Sequence, residues 1–329
     1  MADLAVSVGL LLSPVGMAIL GALVGSFLNV VIHRLPQLLE RGWLADAAHY
    51  LQDEVAMRRV LGGVLGGVSG GALGGVSGAT PALFPELART GAAMADSLAR
   101  LPQLGLARPR SRCPSCGHVL AWHENIPLLS WLRLRGKCSA CSAPISLRYP
   151  IIEALTGALF AAVAWRFGAT AATAVYATAL GLLVAAAFID LDTTLLPDQL
   201  TLPLVGLGLL AAWQGWIPVS LADATLGALF GYFSLWAIAS LYKLLRGAEG
   251  MAEGDFKLLS GLGALLGWQA LPSVVLLSSA VGAAVGIYMI AARGHQREVP
   301  IPFGPYLAGG GVAALFFGAQ LSRLWLPGQ

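Results

Sequence analysis

The sequence predicts an all-α, polytopic membrane protein of about eight transmembrane helices, with one large polar loop between the first two. Of its 329 residues, 57% are hydrophobic and only 11% are charged, whereas soluble domains carry about 25% charged residues. The apolar runs are continuous and do not alternate with polar residues, which argues against a membrane β-barrel. The composition also excludes a soluble globular enzyme, a disordered chain and a nucleic-acid binder.

The apolar runs divide the chain into three parts. Residues 1–32 hold one apolar stretch without a basic start or a cleavage site, so we expect a first transmembrane helix and not a removed signal peptide. Residues 33–149 form a polar loop. Residues 150–329 contain seven further predicted spans, near 151–167, 169–190, 200–217, 222–245, 257–270, 272–292 and 304–325. The 257–270 span is short for a bilayer, so we expect it to be tilted, re-entrant or shielded by protein.

Basic residues indicate the orientation, because Lys and Arg favour the cytoplasmic side of a membrane. With eight spans, nearly all the basic residues that flank the helices fall on the side of the polar loop, and only Arg166 and Arg323 fall on the other. This topology places the N-terminus outside and the polar loop in the cytoplasm. One missing or additional span would scatter the basic groups over both faces.

A glycine-rich segment at 60–79, VLGGVLGGVSGGALGGVSGA, has no charge and repeats a Gly pair every four residues. Small residues at this spacing pack membrane helices closely, which would favour a ninth span or a helix-pairing face. The alternative is a flexible, low-complexity insert. Each Gly disfavours a helix by about 0.8–1.0 kcal/mol relative to Ala, and a ninth span would move the later basic loops outside. We therefore expect an insert.

The polar loop contains all four cysteines, as two Cys-x-x-Cys pairs separated by 21 residues: Cys113, Cys116, Cys138 and Cys141. Two such pairs can place four thiolates around one metal ion, as in structural zinc sites, and leave no open position for catalysis. Two disulfides are an alternative that a reducing cytoplasm disfavours. A quinone-linked redox site would need the cysteines on the outer side. Four thiolates complete the zinc shell, so we expect His118 and His123 not to be ligands.

Carboxylates outside the loop are few, and most lie at two predicted helix ends. Ionisable residues at membrane depth are costly and usually functional, and the topology puts both groups on the cytoplasmic face. Two carboxylates that share a site can hold one proton between them and act together as base and acid, as in aspartyl proteases. The alternative is a set of carboxylates that cap helices and face water. The groups are Asp190, Asp192 and Asp198, and Glu249, Glu253 and Asp255.

Four neighbours of the presumed pair are candidates for supporting roles. Gly254 precedes Asp255, where the missing side chain lets the backbone approach a substrate or the partner carboxylate. Lys257 either places positive charge near the site or anchors the span at the lipid headgroups, and we favour the anchor. Asp192 and Asp198 either tune the acidity of the pair or cap a helix.

Several long segments, in the same order over residues 20–311, resemble the type IV prepilin peptidases. Besides the cysteine pairs and the Asp190 segment, they are GSFLNVVIHRLP (25–36), NIPLLSWLRLRGKC (125–138), ISLRYPIIEALTG (145–157), EGDFKLLSGLGALLGW (253–268) and PFGPYLAGGG (302–311). The resemblance implies a bifunctional enzyme of the bacterial inner membrane, with a periplasmic N-terminus. Such enzymes cleave the basic leader from type IV prepilins, or from pseudopilins of type II secretion. They then methylate the new N-terminal amine with S-adenosylmethionine.

The resemblance also implies roles for particular residues. Asp190 and Asp255 correspond to the catalytic pair, and the four cysteines correspond to the zinc site. The family's GxGD motif reads Ala252-Glu253-Gly254-Asp255 here, so its first Gly is absent. Because Gly254 is retained, we expect a modest backbone change and retained cleavage. There is no glycine fingerprint of a Rossmann fold, and the residues that bind the methyl donor stay unassigned.

Other classes of protein account for fewer of these features. An aspartyl membrane protease without methyltransferase activity, such as the presenilin type, shares the paired Asp but not the zinc loop. A transporter would also place carboxylates among Gly-broken helices, but it needs no four-cysteine loop, and no internal repeat relates its halves. A scaffold with a zinc loop has no need for paired Asp.

Overall fold

The structure, a computed structural model, describes residues 11–53, 57, 80–247, 250–293 and 301–322. Within these ranges the chain is helical, with two short 3-10 turns, two isolated β-bridges and no extended strand. The helices are α1 (Pro14–Gln52), α2 (Thr80–Ala99), α3 (Leu129–Arg133), α4 (Arg148–Phe167), α5 (Ala171–Thr193), α6 (Asp198–Trp213), α7 (Leu221–Arg246), α8 (Glu253–Leu266), α9 (Leu271–Arg293) and α10 (Gly304–Ser322). The predicted all-α class is confirmed.

Five described helical segments are long and apolar enough to cross a membrane, so the chain is a multi-pass membrane protein. They are α1, α4, α5, α7 and the segment Trp268–Ala291, which contains most of α9. The other three predicted spans coincide with α6, α8 and α10, which have 16, 14 and 19 residues. The total of eight spans stays a prediction.

The chain divides into two compact units, one of residues 34–110 and one that contains the rest. Helix α1 passes through this boundary, because it continues beyond the predicted end at residue 32 to Gln52, with Pro36 inside the helix. Residues 111–149, predicted as part of one polar loop with residues 33–110, belong to the unit of the membrane helices. The glycine-rich segment 60–79 lies outside the described residues.

Basic residues at the start of the smaller unit hold its backbone. Arg34 donates from Nη1 to the carbonyl of Gly105 at 2.8 Å and from Nη2 to that of Pro109 at 2.7 Å. Arg41 donates to the carbonyl of Pro102 at 2.8 Å. These two arginines, which the sequence suggested as markers of topology, therefore also fix the segment that follows α2.

Helix α8 lies at the centre of the membrane unit. Its 14 residues extend over about 21 Å at 1.5 Å per residue, which is less than the roughly 30 Å hydrocarbon layer. Ten of its residues are buried, and α6, α7 and α10 all contact it closely. This burial supports shielding by protein, one of the three options for the short predicted span.

Glycines let the helices approach at backbone distance. Gly227 of α7 faces Gly263 of α8 so closely that a Cβ atom on either residue would overlap the carbonyl group of the other. A Cβ at Gly25 of α1 would lie 2.8 Å from Cα of Glu153 on α4. Close contacts through small residues are typical of membrane helix pairs, and they account for part of the high glycine content.

We predict that Gly227→Ala destabilises the protein, because the new methyl group has no space against the Gly263 carbonyl. Overpacking of this kind costs about 1–3 kcal/mol. The matched control is Gly206→Ala on α6, where a Cβ meets nothing within 4 Å. The melting temperature of the detergent-solubilised protein should fall for Gly227→Ala and stay unchanged or rise for Gly206→Ala. Equal melting temperatures for the two variants would contradict the close contact between Gly227 and Gly263.

Candidate active site and metal centre

Asp190 lies in the last turn of α5 and is 4% exposed. The helix ends at Thr193, and the next residue, Thr194, adopts a left-handed conformation with φ of +53° and donates its N–H to the Asp190 carbonyl at 2.8 Å. The following segment leads through Pro197, in extended conformation, to the start of α6 at Asp198. The local sequence thus ends one helix directly after Asp190 and starts the next within a few residues.

Asp255 lies in the first turn of α8 and is 5% exposed. Ala252, at the position where the resemblance implies a Gly, precedes the helix at φ −80° and ψ 147°. Any residue adopts this extended conformation, so Ala at this position introduces no backbone strain. The expectation of a modest effect is consistent with this geometry.

The two aspartates form a buried pair. Both side chains are almost fully buried, and Leu196 lies against the residue that precedes Asp255 and against the residue that bonds Asp190. Asp190 Oδ2 accepts a hydrogen bond from the backbone N–H of Gly304 at 2.8 Å, where α10 begins. The Oδ1 atom of Asp255 is buried and has no hydrogen-bond partner among the described residues. A buried oxygen without a partner is unfavourable in a carboxyl group that has only a structural role. This Oδ1 atom of Asp255 can therefore bond to water or to a substrate.

Leu196 connects the three backbone segments of this site. A Cβ at Gly254 would lie 2.5 Å from Cβ of Leu196, and a Cβ at Gly304 would lie 3.1 Å from Leu196 Cδ1 and 2.7 Å from Asp190 Oδ2. Gly254 therefore permits a close approach to Leu196, whereas the sequence suggested an approach to a substrate or to the partner carboxylate. Gly304 and Leu196 were not singled out from the sequence. The available signal was the Gly-Pro pair at 304–305, because Pro is common at the first position of a helix.

Asp192 is held by Arg148. Arg148 donates from Nη1 and Nη2 to the two oxygens of Asp192 at 2.7 and 2.6 Å. The guanidinium group also lies 5.3 Å from the ring centroid of Phe188. This bidentate pair joins the start of α4 to the end of α5.

Asp198 and Lys257 form a second ion pair, between the first turns of α6 and α8. Lys257 Nζ lies 2.8 and 3.0 Å from the two oxygens of Asp198 and 3.2 Å from Oε1 of Glu253. The Lys257 side chain is only 19% exposed, and its ammonium group is engaged by two carboxylates; the anchor at the headgroups stays a prediction. Asp198 supplies no side-chain cap, but an acidic residue in a first turn interacts favourably with the helix dipole.

The four cysteines come together in space, with all their Sγ atoms within 4.8 Å of one another and none in a disulfide. Four sulfurs around one zinc ion at about 2.3 Å would lie about 3.8 Å apart. The closest pairs are Cys113 with Cys141, at 3.8 Å, and Cys116 with Cys138, at 4.0 Å. The cluster therefore has the dimensions of a site for one metal ion.

The two cysteine pairs form equivalent turns. In the first, Cys113 N–H donates to the His118 carbonyl and Gly117 N–H to the Cys113 carbonyl. In the second, Cys138 N–H donates to the Ala143 carbonyl and Ser142 N–H to the Cys138 carbonyl. The residue after the second cysteine is left-handed in both, with φ of +74° at Gly117 and +58° at Ser142.

Backbone N–H groups point at the cysteines from these turns. Those of Cys116 and Ser115 lower the pKa of Cys113 to about 6, so that this thiol is readily available as a thiolate ligand near neutral pH. The first turn thus contributes backbone donors that favour a thiolate at Cys113.

His118 contacts Glu124 and is not one of the clustered groups. Its Nε2 atom lies 3.1 Å from Glu124 Oε2, which also accepts the N–H of Ala121 at 2.8 Å. A hydrogen bond from Ser139, together with those from Ala121 and His118, lowers the pKa of Glu124 to about 2. Glu124 therefore stays ionised and links the first cysteine turn to the second.

We predict that the purified protein carries one metal ion per chain and that Cys113→Ser loses it. His118→Ala is the matched control, because it removes a polar side chain from the same turn but leaves all four sulfurs. Elemental analysis by mass spectrometry should find a full equivalent in His118→Ala and much less in Cys113→Ser. Loss of the metal in both variants would mean that His118 takes part in binding.

Comparison with known proteins places this site in a family context. Residues 19–167 match the Bacterial Peptidase A24 N-terminal domain, and residues 177–287 match the Type IV leader peptidase family. The chain is 46% identical to the prepilin leader peptidase/N-methyltransferase of Aeromonas hydrophila, over 92% of this chain and 90% of that protein. The enzymes of the same name from Pseudomonas aeruginosa and Burkholderia pseudomallei are 46% and 44% identical. Those matches cover 94% and 93% of this chain and 91% and 86% of the relatives. No significant match to a solved structure was found.

Proposed function

Because the chain belongs to the type IV leader peptidase family, we propose that it is a bifunctional prepilin-processing enzyme of the bacterial inner membrane. It cleaves the basic leader from type IV prepilins, or from pseudopilins of type II secretion, and then N-methylates the new N-terminal residue. The observation that carries the proposal is the buried pair of Asp190 and Asp255, held at the end of α5 and the start of α8.

The topology accounts for how the substrate reaches the pair. The basic residues favour a cytoplasmic position for the loop between α1 and α4, and a periplasmic position for the N-terminus. The ends of α5 and α8 that carry the aspartates then lie at the cytoplasmic face. A prepilin inserted by its apolar helix presents its leader and scissile bond at that same face.

The contacts of the two carboxyl groups suggest their roles. Asp190 accepts the Gly304 N–H at the start of a helix, an arrangement that favours an anionic acceptor. Asp190 is therefore proposed as the base that takes a proton from water. Asp255 has a buried oxygen with no described partner, which suits a protonated carboxyl group that donates to the scissile carbonyl oxygen.

The proposed cleavage needs no covalent intermediate. Water adds to the carbonyl carbon while its proton passes to Asp190, and the carbonyl oxygen takes the proton of Asp255. The tetrahedral product then collapses, the carbon–nitrogen bond breaks, and the leaving amine takes the proton from Asp190 as Asp255 recovers its own. The products are the free leader carboxylate and the mature N-terminal amine.

Two cofactors complete the proposal. Cys113, Cys116, Cys138 and Cys141 would hold a zinc ion, because four thiolates in a closed shell are typical of structural zinc, and the cluster has matching dimensions. S-adenosylmethionine supplies the methyl group for the second reaction. The residues that bind it are not assigned.

We predict that Asp190→Asn and Asp255→Asn each abolish leader removal, because a carboxamide can neither accept the proton from water nor donate one as an acid. General acid–base catalysis contributes about 10²–10⁴-fold, so any residual rate should be lower by at least that factor. Asp96→Asn, an exposed position on α2, serves as the control.

The assay is co-expression with a prepilin, followed by the mass of the mature N-terminus. Wild type and Asp96→Asn should yield a processed protein that carries one added methyl group. Full cleavage by either pair variant would overturn the assignment of the pair. Cleavage without the added methyl in the wild type would overturn the second activity alone.

We also predict that Gly304→Ala strongly reduces cleavage, because the added methyl group would displace Asp190 Oδ2 from the Gly304 N–H. Loss of one such hydrogen bond to a charged group costs about 1.5–3 kcal/mol, or roughly 10-fold to 100-fold in rate. Gly309→Ala is the matched control on the same helix, since a Cβ there meets nothing within 4 Å.

Initial cleavage rates in detergent, with equal melting temperatures as a check on folding, test this prediction. Equal rates for the two glycine variants would show that the contact between Gly304 and Asp190 has no part in catalysis.

A further inference from the structure

A cavity lies at the end of the helix bundle opposite the aspartate pair. Its volume is about 300 Å³, and residues at its wall include Arg166, Tyr176, Leu266, Gln269, Ser273 and Gly318. Three helices show that this is the far end. Helix α5 carries Asp190 at its C-terminal end and Tyr176 near its start, while α8 and α10 begin with Asp255 and Gly304 in their first turns and end near the cavity.

The shortness of α8 contributes to this cavity. The helix ends at Leu266, and Gly267, with φ of +83°, turns the chain into the 3-10 segment Trp268–Ala270. The neighbouring helices α4 and α5 have 20 and 23 residues. Residues of α4, α5, α9 and α10 line the cavity beyond the C-terminal end of α8.

Tryptophans mark the depth of the cavity in the membrane. Trp165, Trp213, Trp216 and Trp268 all lie at this end of the bundle and are exposed by 84%, 67%, 43% and 38%. Tryptophan is enriched at the level of the lipid headgroups. The cavity thus lies near the headgroup layer, and its wall is mostly apolar.

Arg166 supplies a cation at this level. Its side chain is exposed and lies over the ring of Phe167 at 5.4 Å, and among the described residues it has no acidic partner. The carboxylate of Asp223 near this end is engaged elsewhere, by Ser220, by Trp268 Nε1 at 3.0 Å and by Gln269 Nε2 at 3.0 Å. A guanidinium group without a carboxylate, beside an apolar cavity at headgroup depth, has the chemistry of a phosphate ligand.

We propose that this cavity binds one phospholipid of the outer leaflet, with its phosphate on Arg166 and part of an acyl chain inside the cavity. The leaflet follows from the topology of the proposed function, but binding itself does not depend on the catalytic assignment. The lipid would fill the space beyond the C-terminal end of α8 and so support the helix that carries Asp255 at its other end.

The test is native mass spectrometry of the full-length protein in detergent, titrated with phosphatidylglycerol. Wild type should retain one lipid per chain, and Arg166→Gln should weaken binding by about tenfold or more, as expected for loss of a charge-assisted contact. Gly318→Leu should abolish retention, because its side chain extends into the cavity from a position where a Cβ meets nothing within 4 Å. Arg246→Gln, at the other end of α7, and Gly309→Leu, an exposed position on α10, should bind as the wild type does.

Two further probes separate lipid from other ligands. Diacylglycerol, which lacks phosphate, should be retained much less than phosphatidylglycerol, and excess inorganic phosphate should not displace the lipid. Equal binding by Arg166→Gln and wild type, equal retention of diacylglycerol, or displacement by inorganic phosphate would each overturn the proposal. Leader cleavage measured in parallel stays a separate readout, so failure of the lipid site is distinguishable from failure of the aspartate assignment.

Discussion

The enclosure of helix α8 is the constraint on which the rest of the membrane unit depends. A 14-residue helix cannot cross the hydrocarbon layer alone, and its N-terminal N–H groups and carboxylate would be costly in contact with lipid. The protein meets this constraint by packing α6, α7 and α10 directly against it. Glycines at 208, 227 and 311 bring these helices to distances that a side chain would prevent.

This enclosure also explains why the two aspartates can be buried together. Each carboxyl group lies at a helix end, where the chain changes direction and where unpaired backbone groups are available. Asp190 uses one of them, the N–H of Gly304. Two ion pairs near the aspartates connect the same helix ends: Arg148 with Asp192, and Lys257 with Asp198. Charged groups outside the pair thus hold the helices, and Asp255 retains one carboxylate oxygen without a hydrogen-bond partner in the described part of the chain.

Much of this arrangement was predictable from the sequence. Because charged residues are few, the two acidic segments stood out as candidate sites. The cysteine spacing predicted the four-sulfur cluster. What the sequence could not supply were contacts between distant segments. The bond between Asp190 and Gly304 joins residues 114 positions apart, and no local pattern indicates that Leu196 packs against both Gly254 and Gly304. The ion pair of Lys257 was not predictable for the same reason, because its partner Asp198 lies 59 residues away.

Another buried carboxylate, that of Glu153, holds the cysteine loop against the membrane helices. Glu153 of α4 is 8% exposed, and its Oε2 atom accepts the N–H of Leu128 at 2.8 Å, just before α3. Asn29 of α1 donates to the carbonyl of Tyr149 at 3.2 Å. Segments around residues 25–29, 125–129 and 149–157 thus meet at one place. Because Glu153 accepts a backbone N–H, this contact fixes the loop by its main chain. The cysteine turns and the membrane helices are therefore one unit, which explains why residues 111–149 group with the helices and not with residues 34–110.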